Sequence, residues 1–338
     1  MRKPKRTKMP NSLLSTALCV TLLLLSGCDA GPRPFGQSRY AEGTVLAADT
    51  SADGRFTLIS TGPSPVQVWQ RGDAEPLYHW YQGESQQDIV LLATSPDGQA
   101  AATATEDTLA LWSLATGRNR GFYRLNHPLR ALAIADRGRA VLLGYHNGEA
   151  EFVDLTSGRR LLFMGHRDRI NSVDLSADGR LALTGSHDGE AILWQTGDAA
   201  ILARLPHAHS VSLVRLDEEG RRAFSADAQG GGQLWRLPSG EPLAALQVPG
   251  RGQTFISARF DPEQDRLLTG GTARRLQLWQ LDDGRLLDSL QVGLHTRLRP
   301  ASAMVYGVAF VNPQQIYSIS SAGLGETWAL SQRESRHE

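Results

Sequence analysis

A tryptophan recurs along this chain at nearly constant intervals, and nothing else in the sequence restricts its fold as much. Trp69, Trp112, Trp194, Trp235, Trp279 and Trp328 fall in phase, with Val153 at the one remaining position. The successive spacings are 43, 41, 41, 41, 44 and 49 residues. A similar run precedes each: an apolar stretch, a turn, then a second apolar stretch. The first stretches are residues 44–48, 90–94, 131–135, 172–175, 213–216, 257–260 and 307–311. The turns after them are Asp53-Gly54, Pro96-Asp97-Gly98, Arg137-Gly138, Asp178-Gly179, Glu219-Gly220, Pro262-Glu263 and Asn312-Pro313. Glycine suits such turns because it takes positive φ without a Cβ clash. A further stretch follows six of the in-phase positions, at 77–81, 122–125, 161–164, 201–205, 243–247 and 286–291, but none follows Trp328.

Within these stretches apolar residues mostly alternate, as half-buried strands require. Copies of about forty residues with four strands each predict a β-propeller, a ring of four-stranded antiparallel blades. Seven copies predict seven blades in one all-β domain over residues 38–331. The outer strand that the seventh copy lacks is expected from the other end of the chain, near residues 38–42. Pairing the two ends in one blade closes the ring and removes the open edges that invite aggregation.

The most regular copy opens on Gly165-His166, turns at Asp178-Gly179 and Asp188-Gly189, and closes on Ile192-Leu193-Trp194. It resembles a WD-repeat blade. The resemblance implies a structural polar tetrad of His166, Thr184, Asp188 and Trp194, with the imidazole bridging hydroxyl and carboxylate and the indole N–H also satisfied. A serine usually stands where Thr184 is, and either hydroxyl can donate and accept. A hydrolase triad would use similar groups, but here the hydroxyl lies in mid-strand rather than on an exposed elbow. No other copy keeps all four groups, so the other blades are expected to rely on apolar packing.

The front of the chain reads as a targeting segment. Arg2, Lys3, Lys5, Arg6 and Lys8 form a basic start, and residues 13–25 are an apolar run. That run is shorter than the ~20 residues a membrane-spanning helix needs. Leu25-Ser26-Gly27-Cys28 then resembles a bacterial lipobox. The resemblance implies a signal peptide over residues 1–27, cleavage before Cys28, and acylation of the Cys28 thiol and its new amino group. Multiple lipid chains hold a protein on a bilayer without a spanning helix. Asp29 follows, which in enteric bacteria is associated with inner-membrane retention. Residues 28–37 are expected as a lipidated tether and 332–338 as a charged tail. The expected location is the cell envelope, on the periplasmic side.

Charge and cysteine content exclude several functions. The full chain carries 35 Lys and Arg against 35 Asp and Glu, but the five basic residues of the leader leave the remainder net acidic. An acidic exported chain is a poor match for nucleic acid, which selects basic surfaces. No lysine follows Lys8, which rules out lysine Schiff-base chemistry in the remainder. Cys19 leaves with the leader and Cys28 carries lipid, so thiol catalysis and cysteine-type zinc sites are excluded. No phosphate-binding loop, dinucleotide fingerprint, zinc-protease motif or nucleophile elbow occurs. No cofactor, resident metal or catalytic residue is expected. The expected inner strands offer Asp49, Asp174 and Arg215 as their charged exceptions, and two unpaired acids are a weak metal signal.

Loops at one end of such a ring would carry Arg130, Arg167, Arg169, His187, Arg251, Arg274, Arg275, Arg297 and Arg299, with His209 and His295 beside them. Arginine is favoured at interfaces because its planar fork pairs with carboxylates and stacks on aromatics. This face is the candidate docking site for a protein partner with an acidic patch. The alternative is that arginine, as the sole basic side chain here apart from histidine, is simply scattered over solvated loops. Tyr78 and Trp80 share one face of an outer strand and read either as packing between blades or as an exposed hot spot. The leading functional reading is a monomeric, membrane-anchored interaction module without enzymatic activity. One alternative is an outer-membrane assembly lipoprotein of the quinoprotein-like type, which Ala115-Thr116-Gly117-Arg118 and Thr156-Ser157-Gly158-Arg159 also resemble and which implies eight blades. Another is a propeller hydrolase with a metal in its channel.

Overall fold

Ser51, Ser95 and Ser176 begin the turns between the first two strands of three blades. Each hydroxyl donates to the carboxylate two residues on, at 2.6 Å to Asp53, 2.7 Å to Asp97 and 2.7 Å to Asp178. Each also accepts a backbone N–H, from Phe56, Ala100 and Leu181 respectively. The glycine that follows is obligatory on two counts at Gly179. Its φ is +71°, and a Cβ there would lie 2.7 Å from the Cβ of Ala140 in the neighbouring blade.

The computed structural model describes residues 32–63, 65–83, 87–248, 252–294 and 303–330. They form seven four-stranded antiparallel sheets arranged as a β-propeller. Blade one runs Ala47–Thr50, Phe56–Ser60, Val66–Gln70 and Tyr78–Trp80 from channel to rim. Blade two is Leu91–Thr94, Ala100–Ala104, Thr108–Ser113 and Asn119–Arg124. Blade three is Leu129–Ala135, Ala140–Tyr145, Ala150–Asp154 and Arg159–Phe163. Blade four is Ile170–Leu175, Leu181–Ser186, Glu190–Gln195 and Ile201–Pro206. Blade five is Val211–Leu216, Arg222–Asp227, Gly231–Arg236 and Glu241–Gln247. Blade six is Phe255–Phe260, Arg266–Gly271, Arg275–Gln280 and Leu286–Gln291. Blade seven takes Val305–Asn312, Gln315–Ser320 and Leu324–Ala329 from one end of the chain and Gly36–Arg39 from the other. Seven blades, not eight, separate this ring from the quinoprotein-like alternative.

Closure is by antiparallel pairing of Gly36 with Thr327 through Arg39 with Leu324. The closing strand lies two residues earlier than expected, so Gly36 and Gln37 belong to the sheet rather than to the tether. Tyr40 explains the shift. Its ring leaves the strand and packs against Trp69 of blade one, with ring centroids 4.9 Å apart, and its hydroxyl accepts from that of Tyr317. Gln37 Nε2 donates to Glu326 at 2.9 Å, and the same carboxylate accepts the backbone N–H of Gly293 from the end of blade six. Burial pushes the Glu326 carboxyl above its usual range, against the pull of these donors.

The core lies between blades rather than within them. Each apolar cluster joins two neighbours: blades one and two, for example, meet through Leu58, Val66, Val68 and Trp80 against Ala101, Ala110 and Trp112. Trp80 stacks on Trp112 with ring centroids 4.9 Å apart and donates its N–H to Gly117 O. Tyr78 donates its hydroxyl to Ala115 O. These two aromatics therefore pack one blade on the next. Residues 295–302 lie outside the described residues, as do Cys28, Asp29, the leader and the charged tail.

Candidate functional site: loop face and central channel

The register of blade four brings His166 and Asp188 to one end of the sheet, where the loop before the inner strand meets the turn before Glu190–Gln195. His166 Nδ1 lies 3.1 Å from Asp188 Oδ2, and Nε2 lies 2.9 Å from Thr184 Oγ1. Burial holds the imidazole below its ordinary pKa in spite of the carboxylate. The neutral ring then donates from Nδ1 to Asp188 and accepts at Nε2 from Thr184. Burial favours protonation of Asp188, but the N–H groups of Arg167 and Glu190 and the imidazole outweigh it and hold its pKa low. The fourth member differs from expectation. Trp194 Nε1 is buried with no hydrogen-bond partner, and the indole instead stacks on Phe163 with ring centroids 4.4 Å apart.

Polar pairing is more widespread than apolar packing alone would give. Trp112 donates to Thr103 at 2.9 Å, Trp235 to Ser225 at 2.7 Å, Trp279 to Thr269 at 2.8 Å and Trp328 to Ser318 at 3.1 Å. Blade five goes further. Ser225 also donates to His207 Nε2 at 2.7 Å, and Asp227 lies near enough to bias the imidazole toward its charged form. Burial nevertheless keeps His207 below its ordinary pKa. Ser225 serves indole and imidazole together, whereas Thr184 Oγ1 reaches the imidazole and Ile192 O. Apart from the Trp194 N–H, these polar groups bond one another within their blades.

Of the arginines expected on the loop face, Arg169 lies against His187, and Arg167 donates its backbone N–H to Asp188, which follows His187. Arg169 Nη2 donates to His187 Nδ1 at 3.1 Å, and Ser210 of the next loop is 2.8 Å from the same nitrogen. Arg130 is exposed at the start of blade three. Arg274 is held differently: its φ is +70° and its Nε donates to Val292 O at 2.7 Å. Arg275 begins the third strand of blade six and is half-buried. Among the described residues, no hydrogen bond or ion pair links Arg130, Arg274 or Arg275 to the Arg167–His187 group. Arg251, Arg297, Arg299 and His295 lie outside the described residues.

The axis of the ring carries a charge-balanced cluster that the sequence presents as isolated exceptions. Asp49 accepts from both the N–H and the hydroxyl of Thr94, at 2.7 and 2.9 Å. Asp174 accepts the N–H of Leu216 at 2.7 Å. Neither acid is unpaired, which corrects the reading of them as a weak metal signal. Arg215 donates to Ala258 O at 3.3 Å, and Arg259 donates to Val308 O at 2.9 Å and Thr50 O at 3.2 Å. Burial raises both carboxyls above the usual range, opposed most by Arg259 at Asp49 and by Arg215 at Asp174. Burial also lowers Arg259, against the pull of Asp49. These four side chains line a cavity of about 120 Å³. Arg259 escaped the sequence reading because a single inward arginine matters only once the ring places it opposite an acid about two hundred residues away.

Among curated proteins none matches the chain. Residues 158–195 match the family model described as WD domain, G-beta repeat. That stretch spans the outer strand of blade three and the first three strands of blade four, with His166, Thr184, Asp188 and Trp194 inside it, so this seven-bladed ring carries a WD-type repeat.

Proposed function

We propose that the chain is a lipid-anchored scaffold for protein–protein contact in the bacterial cell envelope, facing the periplasm. The observation that carries the scaffold reading is the use made of the polar residues. The imidazoles, hydroxyls and indoles mostly bond one another, and the channel charges bond the backbone of neighbouring blades. What the ring offers a partner is a rigid set of loops, with Arg167 exposed on one of them and Arg130 exposed at the start of the inner strand of blade three. The anchor rests on Leu25-Ser26-Gly27-Cys28 after a basic start and an apolar run, and Asp29 leans the assignment toward the inner membrane. WD-type rings are commonly non-enzymatic platforms, which agrees with this reading.

Photoreactive residues placed at Arg130 and Arg167, with crosslinking in the native host, test the face. Lysine-directed reagents fail because no lysine follows Lys8. The expected outcome is a crosslink to a defined protein partner, weakened by R167E. Arg274 is a poor probe, since its loss also frees Val292 O. Metabolic labelling with palmitate, absent in C28S, tests the anchor. A mature chain without fatty acid would remove the membrane half of the proposal and leave the ring untouched.

A further inference from the structure

Six blade interfaces are filled by an indole and one is not. In each of the six, the in-phase tryptophan packs against the preceding blade: Trp112 on blade one, Trp194 on blade three and Trp235 on blade four, for example. Blade three has Val153 at that position. The smaller side chain leaves a groove of about 460 Å³ between blades two and three. Leu109, Tyr123 and Leu125 line one wall, and Leu143, Val153 and Leu155 the other.

The sheet register identifies what the missing indole leaves uncovered. Tyr123 lies opposite Leu109, as Trp80 lies opposite Val66, Phe163 opposite Ala150, Leu205 opposite Ala191, Leu246 opposite Gly232 and Leu290 opposite Leu276. Those five equivalents of Tyr123 are at most 3% exposed, whereas Tyr123 is 38% exposed and its neighbour Phe122 47%. Contiguous apolar surface of this kind marks interaction sites.

Two further features define the occupant. The lining includes two guanidinium groups, those of Arg124 and Arg160, and no carboxylate. Arg160 is paired with Glu151, but Arg124 is exposed and makes no ion pair among the described residues. Asn119–Arg124 is also the outermost strand of its sheet, so one side of its backbone is free to pair.

We propose that this groove docks an extended acidic segment of a partner protein. The segment lies along Asn119–Arg124, sinks one aromatic or leucine side chain where the indole is missing, and sets a carboxylate against Arg124. The inference rests on the reading of the ring as a protein-binding platform, and moves the contact from the loop face to the rim.

A phage-displayed library of random dodecapeptides, selected on the full chain and counter-selected on V153W, tests it. The expected peptides carry an aromatic or leucine residue flanked by aspartate or glutamate. A fluorescein-labelled copy of one should bind measurably by anisotropy and weaken about tenfold or more on V153W, as loss of a central anchor site does. R124E should weaken it about fivefold, the loss of one charge-assisted contact. R124E also serves if V153W fails to fold. An empty selection, basic or uncharged peptides, or equal affinity for both variants and the parent overturns the proposal. R167E leaves this binding unchanged, so failure at the groove and failure of the loop face are read separately.

Discussion

At the scale of single residues, the blades are tuned by which hydroxyl meets which ring. Ser225 holds an imidazole and an indole at once, and Thr184 holds the imidazole alone. The spacing of these pairs was visible in the chain: Ser225 and Trp235, Thr269 and Trp279, and Ser318 and Trp328 all stand ten apart. The pairs do not stand out from the sequence alone, because only the copy in blade four carries all four groups of the tetrad and because Thr103 precedes Trp112 by only nine. The state of His207 gives a pH prediction. Its folded pKa is depressed by burial, so the unfolded chain binds the proton more readily. Stability is then complete above the unfolded value of about 6.5 and falls as pH drops through and below it. In H207Q the loss of melting temperature between about pH 7.5 and pH 5.5 should shrink. A loss equal to that of the parent would mean that folding does not depress the His207 pKa.

At the scale of strands, the sequence carried nearly everything local. Turn glycines and serine–aspartate pairs lie within five residues of one another, so their chemistry could be read without the ring. Strand limits could not, because long-range contacts decide them. Blade one begins at Ala47, later than expected. The closing strand ends at Arg39 because Tyr40 finds Trp69 and Tyr317 across the seam. That strand has a measurable role. Removing residues 32–39 strips the partner from Leu324–Ala329 and leaves the Glu326 carboxylate buried without Gln37. An unpaired edge recruits other edges. The truncated chain should therefore self-associate with rising concentration in analytical ultracentrifugation, while the parent stays monomeric. A truncated chain that remains monomeric and melts as the parent does would show that closure adds nothing.

At the scale of the whole molecule, the blades are tied at the axis as well as at their flanks. Asp49 links blade one to blade two, Asp174 links four to five, Arg215 links five to six, and Arg259 reaches from six to both seven and one. Replacing Arg259 by leucine leaves Val308 O without its guanidinium donor, Thr50 O with the Thr94 hydroxyl alone, and Asp49 without its strongest counter-charge. The expected cost is about 3–5 kcal/mol in urea denaturation, the range for breaking one partner out of a desolvated set. Adding D49N should return part of that loss. An R259L ring within about 1 kcal/mol of the parent would make these bonds incidental.

The seam in blade seven also dictates an order of events in time. Gly36–Arg39 leaves the ribosome among the earliest folded segments, yet its only sheet partner, Leu324–Ala329, is among the last. Six blades can assemble from neighbouring stretches while synthesis is still under way, but the final lock waits for a contact between positions almost three hundred residues apart. Until that contact forms, the first strand is a free end without its template, and two nascent copies that meet in that interval satisfy each other instead.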